Sequence, residues 1–231
     1  MLTNEIQNVS ETYIKKWERF AYSRDGTHAK LAYDWYGSWT TLYSLYSDAI
    51  LCFHPSINNG DDDITTTTTA GTTSTTTSAT SATTVVAQPT SKNQQPFLSG
   101  SAGAFRLPLT EDFIPARVYH KQSKWYSIVL QKYGLPLDSR HLYTKSDWEF
   151  EAAAVASKST RAQILNCVAK WVNETVTDRP LTDLYQTEGK GEFPGPNFFA
   201  RPVVGGHFAF LALERACGGN GKAYQALGFD E

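Results

Sequence analysis

The chain has 231 residues, 41% of them hydrophobic and 13% aromatic, with 12 Phe, 12 Tyr and 6 Trp against a single Met. That length and composition are enough to bury a sizeable core and exclude a wholly disordered protein. A net charge of −2, from 21 basic and 23 acidic side chains, leaves no basic excess for a phosphate backbone, and no apolar run approaches the ~20 residues that span a bilayer. Neither nucleic acid nor a membrane is an expected partner.

Residues 1–10, MLTNEIQNVS, have neither the basic n-region nor the apolar h-region of a signal peptide. Ile6, Val9, Tyr13, Ile14, Trp17 and Phe20 recur at helical spacing and predict a first helix. After the loop SRDGTH, the positions Trp35, Trp39, Leu42, Leu45, Tyr46, Ala49, Ile50 and Phe53 keep the same period up to Pro55. They predict a second helix paired with the first. Residues 64–91 hold 14 Thr and 4 Ser in 28 positions, too little apolar surface to order a segment. A disordered insertion is expected over 58–103, inside one domain spanning 1–231.

Beyond it, Pro115 suits the first turn of a helix carrying Val118, Tyr119, Tyr126, Val129, Leu130 and Tyr133, stopped by Gly134 and Pro136. Ser146 with Glu149 reads as a capping box opening a helix through Trp148, Ala152 and Val155, and Thr160 with Gln163 repeats the device before Ile164, Val168 and Trp171. A sixth helix is expected from about Val204 to Cys217, ending at Gly218-Gly219. Strand signals are few, so the reading is all-α, six helices in three antiparallel pairs.

Cys52, Cys167 and Cys217 are odd in number and lack CxxC or ligand spacing, so neither a disulfide framework nor a zinc site is expected. Cys167 reads as core. The sequons Asn8-Val9-Ser10 and Asn173-Glu174-Thr175, with the Thr/Ser tract, would suit a secreted chain.

The strings RDGTH, AYDWYGSWTTLYSLYSDAILCF, QKYGLPLDSRHLYTKSDWE, VAKWVNETVTDRPLTDLY and FFARPVVGGHFAFLAL, in this order from about Glu5 to Leu213, resemble the glutaminase A family of secreted fungal proteins. The resemblance implies an (α/α)6 six-hairpin toroid, of which this chain would supply about half, the N-terminal half being a missing partner. It also implies an extracellular or cell-wall parent that hydrolyses glutamine to glutamate and ammonia.

Amide hydrolysis needs a base to activate water, an acid for the leaving amine and donors for the oxyanion. Toroid glycosidases divide such duties between two carboxylates, so carboxylates beside aromatics in loops are the candidates. The catalytic ranking is Asp147, then Asp34, then Asp183. Asp147 also suits a favourable first-turn charge, its ionised form held by the helix amides. Asp34 and Asp183 also suit caps or Asx-turns. Glu149 is assigned to its capping box ahead of chemistry, and Asp138 to a pair with Arg140. Arg140 and Arg201 offer guanidinium forks for an α-carboxylate, with loop-bracing ion pairs as the structural alternative. Trp35 and Trp39, four apart on one expected helical face, and Tyr185 beside Asp183 complete the substrate-binding set. His207 reads as a satisfied core or surface histidine. Ser38, Thr144 and Ser146 are further hydroxyls to weigh, Ser146 chiefly as an N-cap. No GxSxG, GxxxxGK[ST] or HExxH is present, and no metal or cofactor is expected.

Two other readings compete. One is a glycoside hydrolase-like enzyme on the same scaffold, acting on a glycan. The other is a non-catalytic fragment or wall-associated binding module.

Overall fold

The computed structural model describes residues 2–53, 112–178, 180–194 and 198–229. The expected insertion at 58–103 lies outside them. The described chain is helical, with α1 Leu2–Ala21, α2 Leu45–Ile50, α3 Ala116–Val129, α4 Ser146–Ala154, α5 Lys158–Glu174, α6 Ala209–Arg215 and α7 Lys222–Gln225. A 3₁₀ segment, Pro202–Phe208, precedes α6 and a 3₁₀ turn, Ala216–Gly218, follows it. Two three-residue strands, β1 Tyr143–Lys145 and β2 Leu184–Gln186, pair antiparallel with Lys145 opposite Leu184. No described helix is long and apolar enough to cross a membrane.

The apolar periods predict α1, α3 and α5, and three expectations are corrected. The second helix begins only at Leu45, not near Trp35. Ser38 is fully buried, its hydroxyl donating to the Trp35 carbonyl at 2.6 Å and accepting from the Leu31 amide at 3.1 Å. Thr41 donates its amide to Leu137 O and its hydroxyl to Pro136 O. These short polar side chains give the backbone partners that a helix would otherwise supply, so residues 38–41 lie along the 136–139 loop. Trp35 and Trp39 therefore do not share a helical face.

Neither capping box forms. Ser146 is the first residue of α4 with its hydroxyl turned to His207, while Glu149 Oε1 accepts the Leu135 amide at 2.6 Å. Gly134 permits that contact, since a Cβ there would lie 2.5 Å from Glu149 Oε1. The cap of α5 is Ser157, whose side chain accepts from Thr160 N. The third correction is a disulfide, Cys52–Cys217, joining residues 165 apart in sequence. It ties the end of α2 to the segment after α6. Cys167 is the free, half-buried cysteine.

Helix α4 organises the core. Ala152, Ala153 and Ala154 are completely buried, and their small side chains let α5, α6 and the 3₁₀ segment approach closely. One apolar cluster gathers Leu45, Ala49, Val118, Tyr119, Leu213 and Leu227; a second gathers Tyr126, Tyr133, Leu135, Ile164, Trp171 and Tyr185. Phe150 of α4 and Phe210 of α6 pack against both. The junction of β1 and α4 thus rests on packed structure, a rigid base for charged groups.

Candidate active site

Pairing of β1 with β2 brings the residues on either side of the two strands together. The Ser146 amide donates to the Asp183 carbonyl at 2.7 Å, which sets Asp147 and Asp183 side by side. Lys145 Nζ lies between their carboxylates, 3.4 Å from Asp147 Oδ2 and 3.7 Å from Asp183 Oδ2. Arg201 forks onto Asp183, Nε donating to Oδ1 at 2.8 Å and Nη2 to Oδ2, and its guanidinium also covers the Phe198 ring at 4.2 Å. The 3₁₀ segment closes over this group, because Gly206 allows close approach: a Cβ there would sit 2.8 Å from Asp147 Cβ.

The two carboxyls are tuned in opposite directions. Burial pushes Asp183 up, but the Arg201 hydrogen bonds and charge, with Lys145, outweigh it and hold the carboxyl below its usual range. Burial pushes Asp147 up, and the more distant Lys145 offsets this only in part. Asp147 is 7% exposed, and its Oδ1 is buried without a hydrogen-bond partner. The expectation that first-turn amides hold Asp147 ionised is therefore corrected: desolvation dominates.

Ser146 Oγ and His207 Nε2 are 2.9 Å apart, a nucleophile-to-base distance, but Ser146 has no exposed surface. Burial pushes the His207 ring below its usual value, with the Asp147 charge opposing. This pair braces the 3₁₀ segment against α4. Thr144 and Ser38 are likewise buried.

Of the residues singled out from sequence, the fold brings together Asp147, Asp183 and Arg201. Asp34 lies exposed in the turn organised by Ser38, with no ion pair or hydrogen bond to the group among the described residues. Trp35 is 47% exposed in the same turn, and Trp39 packs edge-on against Trp125. Arg140 forks onto Asp138 at 2.8 and 2.9 Å, as expected from their spacing. Tyr185 is completely buried, stacked on Trp171 at 3.7 Å, with its hydroxyl donating to Tyr133 O. Both arginine forks are occupied by aspartates, which fits the loop-bracing alternative.

Three nearby residues escaped the sequence reading. Lys145 stands in the quoted KSDWE string, but only the strand pairing reveals that it serves two carboxylates. Tyr43 stacks on Trp148 at 3.6 Å beside Lys145, across 105 residues of sequence from the turn to α4. Glu151 lies four residues after Asp147 on α4, a spacing visible in DWEFE. No group of three or more His, Cys, Asp or Glu side chains suited to a metal occurs among the described residues.

A cleft of about 960 Å³ opens elsewhere, at the end of α5, lined by Lys132, Glu174, Asp178, Lys190, Glu192 and Phe199 among others. It contains none of the candidate catalytic or substrate-binding residues. Asp147, outside this cleft, offers a desolvated carboxyl.

The sequence profile of the glutaminase A six helical-hairpin domain matches residues 2–59 and 102–211, more than half of the chain. The chain belongs to this family. A protein of Arthroderma benhamiae named as a probable glutaminase is 58% identical over 224 residues, covering 97% of this chain and 22% of that protein. Glutaminase A of Aspergillus oryzae is 52% identical over 103 residues, covering 44% of this chain and 15% of that enzyme. The chain thus spans about a fifth or less of the length of these curated relatives. No solved structure matches it. The all-α class expected from the helical periods agrees with both the family and the described helices.

Proposed function

We propose that this chain is the part of a glutaminase A-type amidohydrolase that carries Asp147 as the water-activating base. The observation behind this reading is the buried, unpartnered Oδ1 of Asp147 beside an ammonium shared with Asp183. In such a reaction water attacks the side-chain amide of glutamine as its proton passes to the Asp147 carboxylate. The C–N bond then breaks, and ammonia leaves with a proton from an acid. Arg201 keeps Asp183 ionised, Asp183 anchors Lys145, and the Lys145 charge can face the developing oxyanion. Asp34 is the next carboxylate to test, while Arg140, Trp35, Trp39 and Tyr185 serve this reading as framework around the loops.

The substrate is assigned from the names of relatives that extend far beyond this chain, so the test uses the full-length protein. Incubation with glutamine should release ammonia, and incubation with a glycan panel should release no reducing sugar. Sugar release without ammonia would favour the glycoside reading, for which the Tyr43–Trp148 stack beside Lys145 is a suitable aromatic platform. Neither product would favour a binding module.

The parent protein is assigned to the extracellular space or cell wall. A disulfide between distant cysteines fits an oxidising compartment, and Asn8 and Asn173 of the two sequons are both exposed on helices. Endoglycosidase should lower the apparent mass of the native protein; an unshifted band from a cytosolic fraction would remove this assignment. Completion of a six-hairpin toroid by further hairpins is supported by exposed apolar side chains along α1, namely Val9, Tyr13 and Phe20.

A further inference from the structure

Helix α4 presents a second carboxyl that the reading above leaves without a task. Glu151 follows Asp147 by four residues, the spacing that makes side chains neighbours on a helix surface. Asp147 is more than nine-tenths buried with Oδ1 unpartnered, and Glu151 is half-buried. The charged and titratable groups facing the pair come from several elements: Lys145 from β1, Asp183 before β2, Arg201 just before the 3₁₀ segment, His207 within it, and Tyr46 from α2. Two cations therefore stand among three carboxyls. Arg201 is committed to Asp183, and Lys145 is shared between Asp183 and Asp147. Among the described residues, Lys145 is the cation that acts on Glu151, and it is shared with both aspartates.

We propose that Glu151 is the proton-donating partner of Asp147, so that one face of α4 supplies both the acid and the base of the hydrolysis. The proposal rests on the amidohydrolase reading and adds the residue that it lacks. The Asp147 carboxylate accepts a proton from water as the new C–O bond forms. The neutral Glu151 carboxyl gives its proton to the amide nitrogen as the C–N bond breaks, releasing ammonia. Proton transfer from Asp147 back to Glu151 restores the starting state.

Burial raises both groups, and the position of Lys145 distinguishes them. Burial, and then the Asp147 charge, push the Glu151 carboxyl up to about 7. Asp147 has Lys145 at 3.4 Å to favour its ionised form, whereas Glu151 feels the same lysine more weakly than it feels the Asp147 charge. The close Lys145 contact at Asp147 is the difference that lets one carboxyl act as base and the other as acid at one pH.

Two measurements on the full-length protein test this. In the first, the Glu151 carboxyl carbon is followed by NMR against pH in the parent protein and in Asp147→Asn. The expected midpoint is near 7 in the parent and lower in the variant, where the neighbouring charge is gone. An ordinary carboxyl midpoint, or one that Asp147→Asn leaves in place, overturns the proposal whether or not the protein releases ammonia.

In the second, the pH dependence of ammonia release is compared with that of Glu151→Gln. Turnover should fall roughly a hundredfold, the scale of a general acid, and the decline of activity above neutral pH should disappear. An unchanged profile in Glu151→Gln overturns the proposal. A parent protein that releases no ammonia defeats the amidohydrolase reading alone, and the titration then still decides whether the two carboxyls are coupled.

Discussion

Asp138 and Asp147 stand in segments of similar appearance, each two residues from a basic side chain in a loop rich in polar and aromatic residues, and the fold gives them opposite properties. Arg140 reaches back to Asp138 with Nε and Nη2, and the Arg140 amide adds a bond to the same carboxylate. Burial raises that carboxyl, but the Arg140 contacts prevail and hold it below its usual value. Lys145 makes one contact of 3.4 Å to Asp147, leaves Oδ1 unpartnered, and is drawn toward Asp183 as well. Burial then prevails and the carboxyl rises. A satisfied carboxylate fixes a loop. A buried carboxyl with an idle oxygen is one that chemistry can use.

Breaking the strongest pair should give the largest effect. Arg201→Ala leaves Asp183, which has no exposed surface, with only the shared Lys145. The expected cost is about 3 kcal/mol in denaturant unfolding, since stranding a buried charge is far worse than losing an exposed pair. Arg140→Ala removes an arginine whose side chain is 55% exposed, and a much smaller loss is expected by the same method. Equal losses from the two substitutions would erase the contrast.

The carboxyls also predict how stability depends on pH. Asp183 is depressed, so its contribution is complete above the unfolded carboxyl range and is lost as pH falls through its lowered folded value. Glu151 is raised, so its contribution is present below the unfolded value of 4.5 and is lost as pH rises toward about 7. Melting temperature against pH should therefore flatten between these values in Glu151→Gln. A parent-like slope in that variant would remove Glu151 from the desolvated group.

The smallest effect is expected for deletion of residues 61–100. Phe113 N donates to Phe53 O at 3.1 Å and the two rings meet edge-on at 5.8 Å, so the chain on either side of the tract is already joined. Long loops add little closure entropy, and the melting temperature should barely move. Loss of cooperative unfolding would make the tract structural.

Much of this molecule is legible in its sequence where a single periodic signal governs. The stripes of α1, α3 and α5 are of this kind, as is the Asp138–Arg140 pair, whose partners are two residues apart. Legibility fails where two distant segments share the task. Residues 35–44 carry a helical period, yet Ser38 and Thr41 spend their hydroxyls on turns and on the 136–139 loop. Ser146 and Glu149 match a capping box, yet His207 and Leu135 claim them. Strands of three residues are too short to show an alternation, so neither the β1–β2 pair nor the place of Lys145 between two aspartates announces itself. Cys52 and Cys217 are too far apart for spacing to pair them. Glu151 was within reach, because its i, i+4 relation to Asp147 is local once α4 is recognised.

The most direct measurement of the role of Asp147 compares Asp147→Asn with Asp138→Asn in the full-length protein, reading ammonia release from glutamine together with melting temperature. Asp147→Asn keeps the shape of the side chain and removes its charge, so turnover should fall by roughly a hundredfold or more while the melting temperature changes little. Asp138→Asn should keep turnover and lose about 1 kcal/mol or less of stability as its exposed partner is released. Full turnover in Asp147→Asn, with a loss of stability in place of activity, would contradict the account and make Asp147 a structural charge at the start of α4.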